Sequence, residues 1–274
     1  MGDHHPGGDV NVLALCAGIG GIELGLKLVC PSARTICYVE GEAYAATTLV
    51  ARAEEGFLDP APIWSDVRTF DGKPWRGVVD LVTAGFPCQP FSAAGKRLRE
   101  DDPRHLWPDI FRIIRDVEPS LVFLENVQTR AYLEPLRDLR GMGFEVSDPF
   151  ACTAAELGAG HFRRRVFVLA LNSSRLSRRT RIGKTTPDVE AVVSKPASEQ
   201  VGTGGLPRSD GQRIEWWGSE PSLERVVHGV PNRVDRDRAL GNAVVPAVAA
   251  FAFSSLLKEM CDPSRAVQGL PHTS

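Results

Sequence analysis

The chain has 274 residues, of which 43% are hydrophobic and 24% are charged, and its formal net charge at pH 7 is −2. A chain of this length can bury a substantial core without disulfides or structural metals, and it suits one large domain or one domain with an insert. The charge excludes a polycationic protein, no 18-residue apolar run predicts a membrane span, and we expect a cytoplasmic location.

The first half of the chain alternates strand-like and helix-like segments. Short apolar runs rich in β-branched residues predict strands, and apolar residues at helical spacing predict helices. The predicted strands are 10–16, 35–40, 61–67, 78–85, 120–126 and 165–171. The predicted helices are 22–29, 43–55, 105–117 and 131–142. Continuous apolar runs are typical of buried parallel strands, so the predicted fold class is α/β.

The second half changes character. Residues 172–235 are rich in Ser, Thr, Arg, Gly and Pro and show little periodicity, which indicates a small irregular domain or a long linker. A basic zone without acidic residues runs from Glu156 to Asp188. It fits an anion-facing surface such as a nucleic-acid groove, or a solvated basic loop. Order returns over residues 239–260, where Pro246 suits the first turn of a buried helix.

The first predicted strand leads into a glycine-rich turn. Gly18, Gly20 and Gly21 let backbone amides approach a ligand at a helix N-terminus, although tight packing explains such a turn equally well. Glu40 ends the second strand, where an acid can accept hydrogen bonds from ribose hydroxyls. Asp66 ends the third strand, where it could meet an adenine amino group. Together these residues predict an adenosine-containing cofactor, against the alternative of exposed strand-end acids.

Cys88 lies between two prolines, directly after the fourth predicted strand. A zinc deaminase has a P-C-x-x-C motif with an upstream H-x-E. Phe91 replaces the second cysteine here and no H-x-E occurs, so we expect no metal. A cysteine hydrolase needs a base near the thiolate. His105 or His161 could serve, but no motif selects either.

A third purpose for this thiol is nucleophilic addition to a pyrimidine ring. Cytosine C5 becomes nucleophilic only after a thiolate adds to C6, which creates an enamine-like carbon. The addition needs an acid or a strong hydrogen-bond donor at N3, because electron density moves there. Glu125 ends the fifth predicted strand at the same edge as Cys88, so it is positioned to supply that donor.

Seven motifs occur in order along the chain: CAGIGG, VEGE, SDV, GFPCQPFS, ENV, HFRRRVF and LGNAVVP. In order and spacing they resemble the motifs of bacterial and phage C5-cytosine-specific DNA methyltransferases. The resemblance covers residues 10–171 and 232–256 and leaves the irregular middle uncovered. It implies a Rossmann-like S-adenosylmethionine-dependent methyltransferase sheet with helices on both faces, plus a small irregular target-recognition region.

The resemblance also implies a role for each matched residue. Cys88 would be the nucleophile and Glu125 the group at N3, while Asn126 would hold the loop that carries Cys88. Arg163 and Arg165 would hold the flipped cytosine and an adjacent phosphate. The implied methyl donor, S-adenosylmethionine, would contact Gly18, Gly20, Gly21, Glu40, Asp66, Val67 and Asn242.

The resemblance further implies a division of the chain and a set of partners. The segments are a disordered lead-in, a catalytic domain, a target-recognition region, a segment returning to the catalytic domain, and a tail: 1–9, 10–171, 172–231, 232–260 and 261–274. The implied partner is double-stranded DNA, with no membrane and no metal. We expect a monomer and leave open a cognate restriction endonuclease in the same system.

The sequence leaves two other functions open, and it departs from the family pattern at three positions. The same chemistry could act on RNA, as it does in one branch of the family, or the fold could serve a non-catalytic DNA-binding protein. Cys16 stands where the family often has an aromatic residue, His161 where a glutamine is common, and Ala14 where an acidic residue is frequent.

Overall fold

A computed structural model describes residues 10–87, 105–175 and 233–262 of the chain. Eight strands in these ranges join into one sheet. The strands are β1 Val10–Leu15, β2 Ala33–Val39, β3 Ile63–Trp64, β4 Leu81–Gly85, β5 Leu121–Asn126, β6 Glu145–Val146, β7 Phe150–Thr153 and β8 Arg164–Leu171. The α-helices are α1 Gly21–Val29, α2 Ala43–Glu54, α3 Trp107–Val117, α4 Leu133–Gly141, α5 Arg233–Asn242 and α6 Pro246–Met260.

The strand order is β3-β2-β1-β4-β5-β8-β6, and β7 also pairs with β8. β1 to β5 are parallel, whereas β8 runs antiparallel to β5. The expectation that the apolar run 165–171 belongs to a parallel strand is therefore wrong. Both faces of β8 are covered, so it carries the same continuous apolar run as its parallel neighbours, and the run alone does not encode direction.

The third strand is shorter than the sequence predicts, at two residues instead of seven. Two residues after the strand ends, the Oδ1 of Asp66 accepts a hydrogen bond from the Arg68 amide (3.0 Å) and caps the 3₁₀ turn Val67–Thr69, which takes the chain out of the sheet. Aspartate is a preferred N-cap residue because its short side chain reaches the backbone amides of the next turn. The prediction that Asp66 ends the third strand is therefore wrong by two residues, because the strand ends at Trp64.

Helices cover both faces of the sheet, which confirms the predicted α/β class and the Rossmann-like layering. α1 and α6 pack over one face, where their apolar residues form a cluster with β1, β5 and β8. α3 and α4 supply the cluster on the opposite face. Pro246 begins α6, as predicted from its fixed φ angle.

The helical stretch Asp237–Met260 is long and apolar enough to cross a membrane by length and composition alone. Half of its most apolar window is buried inside the protein. Because α6 contributes to the core that covers α1 and the sheet, that core accounts for its apolar character. The expected lead-in 1–9 and nearly all of the region 172–231 lie outside the described residues.

Candidate active site

The carboxyl ends of the parallel strands meet at one edge of the sheet, where ligands bind in open α/β folds. β5 ends there with Glu125 and Asn126. Because β8 is antiparallel to β5, with Val166 opposite Asn126, residues at its start arrive at the same edge. The fold thereby brings Arg163 and Arg165 to Glu125, some 40 residues away in the chain.

Glu125 and Arg165 form a buried ion pair. Oε1 of Glu125 lies 2.9 Å from Nε of Arg165, and both side chains are less than a tenth exposed. The two atoms are close, but their orientation is not that of a hydrogen bond, and neither has another such partner within the described ranges. The pair is therefore held by charge attraction, and of the two residues Glu125 lines the cavity described below.

The environment of Glu125 favours its neutral form. Burial raises its pKa to about 7, and the positive charges of Arg165 and Arg163 offset only part of the rise. The raised pKa increases the share of molecules in which this carboxyl is protonated at neutral pH. A protonated carboxyl donates one hydrogen bond, so Glu125 can donate to a ring nitrogen, which an ionised glutamate cannot do.

The side chain of Asn126 holds the segment that follows β4 through hydrogen bonds. Its buried Nδ2 donates to the carbonyl of Phe86 (3.0 Å), while its Oδ1 accepts from the next two backbone amides at 2.8 and 3.2 Å. The ring of Phe86 packs against Trp107 and Tyr132, with centroid distances of 5.9 and 6.1 Å. The chain is thus fixed by backbone and side chain just before residue 88.

Cys88 itself lies outside the described residues, so its distance from Glu125 stays a matter of expectation. The residue that precedes it, Pro87, lines the same cavity as Glu125. The described chain therefore leads to that cavity immediately before the predicted nucleophile.

This cavity, of about 700 Å³, extends from Glu125 to the glycine turn. Its volume falls within the range of roughly 300–1,000 Å³ typical of small-molecule sites. Eight of the twelve predicted site residues line it: Gly18, Gly21, Glu40, Asp66, Val67, Glu125, Asn126 and Asn242. The structure thus brings predicted cofactor residues and predicted catalytic residues to one space.

Glu40 connects the end of β2 to the glycine turn. Its Oε2 accepts a hydrogen bond from the Gly18 amide (2.6 Å), and its Oε1 accepts one from the Glu42 amide (2.7 Å). A carboxylate offers about four acceptor positions, so two remain for hydroxyl groups of a ligand. The residue is buried at the cavity wall, which orients those positions.

The glycines of the turn serve two different needs. Gly20 has a φ of +81°, and a Cβ there would lie 2.5 Å from Cδ1 of Leu58, so it packs against α2 and its following loop and is not part of the cavity wall. Gly21 lines the cavity, and a Cβ there would overlap the carbonyl oxygen of Val244. Tight packing therefore explains Gly20, and close approach of the C-terminal segment explains Gly21.

The remaining cofactor candidates come from two walls of the cavity. Asp66 and the buried Val67 form the wall after β3, and Asp66 is partly engaged by the guanidinium of Arg68 at 3.7 Å. Asn242 ends α5, is exposed and lines the cavity with other residues of that helix. Tyr44 and Arg238 also line the cavity, although no motif singles them out. The place of Tyr44 in the first turn of α2, just after Glu40, could have indicated it.

Arg163, like Arg165, donates to the C-terminal segment, and its contacts there are shorter. Its guanidinium donates to the backbone carbonyls of Leu240 (2.9 Å), Gly241 (2.8 Å) and Ala243 (3.0 Å). It is not among the cavity-lining residues. Arg163 therefore contacts the C-terminal segment. The resemblance implies a different partner for this residue, the flipped base or an adjacent phosphate.

The family model for the C-5 cytosine-specific DNA methylase matches residues 10–201, which is more than half of the chain. The chain belongs to the C-5 cytosine-specific DNA methylase family. It is 34% identical over 171 residues to Type II methyltransferase M.NgoMIV of Neisseria gonorrhoeae, covering 59% of this chain and 51% of that protein. It is 28% identical over 249 residues to Type II methyltransferase M.CviJI of Paramecium bursaria Chlorella virus IL3A, covering 89% and 58%. The chain thus spans about half the length of these relatives.

The fold of this methylase family member matches that of a solved methyltransferase. The structure of the S. pombe Dnmt2 methyltransferase superposes with a TM-score of 0.59 and 19% identity, covering 92% of this chain and all of that one. At this identity the likeness shows the fold alone. It agrees with the predicted methyltransferase sheet.

The three residues that depart from the family pattern lie in different environments. Cys16 lines the cavity with a φ of 49°, and burial raises the pKa of its thiol to about 12, so it stays neutral at physiological pH. Ala14 is fully buried in the sheet, where an acid would need a partner. His161 is exposed, five residues before the position opposite Asn126. The described residues contain no group of His, Cys, Asp and Glu side chains that could hold a metal.

Proposed function

We propose that this chain is a DNA cytosine-5 methyltransferase that uses S-adenosylmethionine. The observation that carries the proposal is the buried Glu125 with its raised pKa, which faces the same cavity as the glycine turn. A neutral carboxyl beside the chain that leads into Cys88 is what addition of a thiolate to cytosine needs. Family membership supports the same reaction.

The cavity residues fit the proposed cofactor. Glu40 keeps free acceptor positions for ribose hydroxyls, and the open space beside Gly18 leaves room against the backbone. Asp66 and Val67 would border the adenine, and Asn242 the methionine end. S-adenosylmethionine, once bound, supplies the methyl group that C5 of the cytosine takes up.

The residues of the chain then have defined tasks at the base. The thiolate of Cys88 forms a bond to C6, the C5–C6 π electrons shift to C4–C5, and the C4–N3 π electrons shift onto N3, to which Glu125 donates its proton. That proton returns to Glu125 when C5 takes the methyl group and the C4–N3 double bond forms again. After C5 has gained the methyl group, loss of its proton to solvent returns the electron pair to the C5–C6 bond, and the thiolate leaves. Arg165 orients the Glu125 carboxyl at 2.9 Å, and Asn126 fixes the chain entering residue 88.

The proposed substrate is double-stranded DNA, from which the target cytosine must leave the base stack. That extrusion costs a few kcal/mol, which phosphate and groove contacts offset. Residues 10–171 and 232–260 would form the catalytic unit and 172–231 the target-recognition region. We infer a monomer that acts in the cytoplasm on nucleoid DNA, and a cognate restriction endonuclease is consistent with the names of the Type II relatives.

Replacement of Cys88 tests this proposal. Wild-type protein should transfer tritium from labelled S-adenosylmethionine to unmethylated duplex DNA and should form a denaturant-stable adduct with 5-fluorocytosine DNA. Cys88→Ser should lose both, because serine is a far weaker nucleophile than a thiolate. Cys261→Ser, which alters an exposed thiol after α6, should keep both.

Three results would contradict the proposal in different ways. Transfer to RNA but not to DNA would assign the chemistry to the other polymer. Tight duplex binding without transfer would support a non-catalytic DNA-binding protein. Full activity of Cys88→Ser would eliminate the covalent route.

A further inference from the structure

The C-terminus of α5 and the turn after it are contacted by two arginine side chains that lie far away in the chain. Nη2 of Arg163 donates to the carbonyls of Leu240 (2.9 Å) and Gly241 (2.8 Å), and Nε donates to that of Ala243 (3.0 Å). Arg165 adds longer contacts to the carbonyls of Gly241 (3.3 Å) and Ala243 (3.4 Å). Two arginines thus converge on the turn between α5 and α6.

These contacts satisfy groups that the helix cannot satisfy itself. The last four carbonyls of an α-helix lack intrahelical partners, and the end carries a partial negative charge. A guanidinium presents its donors in a fixed fork, which suits neighbouring carbonyl oxygens better than a single ammonium does. Arg163 therefore acts as a C-terminal cap of α5.

The cap matters for α5 because burial of apolar side chains contributes little to holding this helix in place. Its apolar side chains Val234 and Leu240 are exposed, so it buries almost no apolar surface. Near its middle, Arg238 forms an ion pair with Glu42 at 2.8 Å, and both of these side chains are largely exposed. An exposed ion pair contributes little stability.

The same helix forms one wall of the cavity. The cavity-lining residues of α5 are Asp235, Arg238, Ala239 and Asn242. Any movement of the C-terminus of α5 would therefore displace Asn242 relative to the glycine turn.

We propose that Arg163 is a positioning residue for the cofactor, acting through α5, and that it is not a DNA-phosphate ligand. The inference rests on the proposed function for the identity of the cofactor. Arg163 caps α5 and keeps Asn242 and its neighbours at the cavity wall. Arg164 comes next in the chain with an exposed side chain, so of these two neighbours it is the one open to a DNA phosphate.

The test compares Arg163→Gln and Arg163→Lys with the control Arg164→Gln. The two measurements are the Kd of S-adenosylhomocysteine by calorimetry and the Kd of a labelled DNA duplex by fluorescence anisotropy. Loss of a helix cap corresponds to about a tenfold weaker Kd for S-adenosylhomocysteine in Arg163→Gln, with duplex affinity nearly unchanged. Arg163→Lys should show a smaller loss, because lysine keeps the charge but not the fork. Arg164→Gln should show the opposite pattern.

Hydrogen exchange of the unliganded protein makes the test independent of methyl transfer. In Arg163→Gln the amides of α5 should lose protection while those of α6 keep it. Unchanged α5 protection, or weaker DNA binding with unchanged S-adenosylhomocysteine binding, would overturn the proposal. The proposed function itself fails instead if the wild-type protein transfers no methyl group to any nucleic acid.

Discussion

Glu125 and Glu23 are two buried carboxyl groups with different surroundings. Burial raises the pKa of each to about 7. Glu23 accepts a hydrogen bond from the Thr83 hydroxyl (2.7 Å) inside the protein and does not line the cavity. Glu125 lines the cavity and faces Arg165. Substitutions at these two residues can therefore separate the chemical role of Glu125 from the free-energy cost of burying a carboxyl group.

Glu125→Gln should lower kcat by about 10²- to 10⁴-fold, the range typical of losing a general acid. The wild-type rate should fall as the pH rises through about 7, because Glu125 then loses the proton that it donates. Glutamine does not titrate, so the residual rate of the variant should lack this fall. The measurement is the pH profile of kcat at saturating substrate, and an unchanged profile in Glu125→Gln would contradict the assignment.

Glu23→Gln is the matched control for that experiment. An acid whose folded pKa exceeds its unfolded pKa makes the protein less stable as the pH rises between those values, here from 4.5 to about 7. Glu23→Gln removes this loss, so it should raise the free energy of unfolding at pH 8 by up to about 3 kcal/mol, with little change at pH 4. Its kcat profile should match the wild type.

At the scale of residues, strand ends could be predicted from sequence and long-range partners could not. Glu40, Asp66 and Glu125 follow apolar runs, so their common edge follows from a parallel sheet. The hydrogen bonds of Arg163 span 77 to 80 residues, and no local pattern encodes them. The ion pair of Arg165 with Glu125 depends on the direction of β8, which its apolar run does not reveal.

At the scale of elements, α1 and α6 approach each other closely at Gly25. A Cβ at Gly25 would lie 2.5 Å from the carbonyl oxygen of Pro246 and 2.8 Å from Cβ of Ala249. Both obstacles belong to the backbone or its first side-chain atom, so neither can move without shifting a helix. The contact therefore depends on a residue without a side chain.

Gly25→Ala should destabilise the protein by about 1–3 kcal/mol, because overpacking forces the two helices apart. Gly141→Ala is the control: Gly141 ends α4 with nothing within 4 Å of an added Cβ. That change should leave stability unchanged or raise it by less than about 1 kcal/mol. Urea unfolding of both variants measures the difference. Equal unfolding midpoints would show that α1 and α6 can move apart without loss of stability.

The elements themselves were predictable where apolar spacing was strong. α3 and β5 occur within a residue or two of their predicted starts and end where predicted. β3 is shorter than its apolar run because the Asp66 cap turns the chain earlier. The capped turn at Asp66 and a longer strand would use the same residues. The pattern of apolar residues does not indicate which of the two forms.

At the scale of the whole molecule, this chain spans about half the length of its Type II relatives yet contains the sheet edge with its cavity. Expression in a host should therefore leave 5-methylcytosine at a short, recurrent sequence of the host DNA. Bisulfite sequencing measures both the activity and the target sequence in one experiment. The Cys88→Ser strain provides the baseline, and identical patterns in the two strains would contradict methylation by this chain.

The place of α6 has a consequence for biosynthesis. Its apolar residues complete the layer over α1 and the sheet, although they follow β8 by more than 70 residues in the chain. A nascent polypeptide that has left the ribosome only as far as β8 exposes the apolar surface of α1 and the sheet. It also lacks α5, which carries Asn242 at the cavity wall. We expect the growing chain to be inert toward DNA until translation has passed Met260.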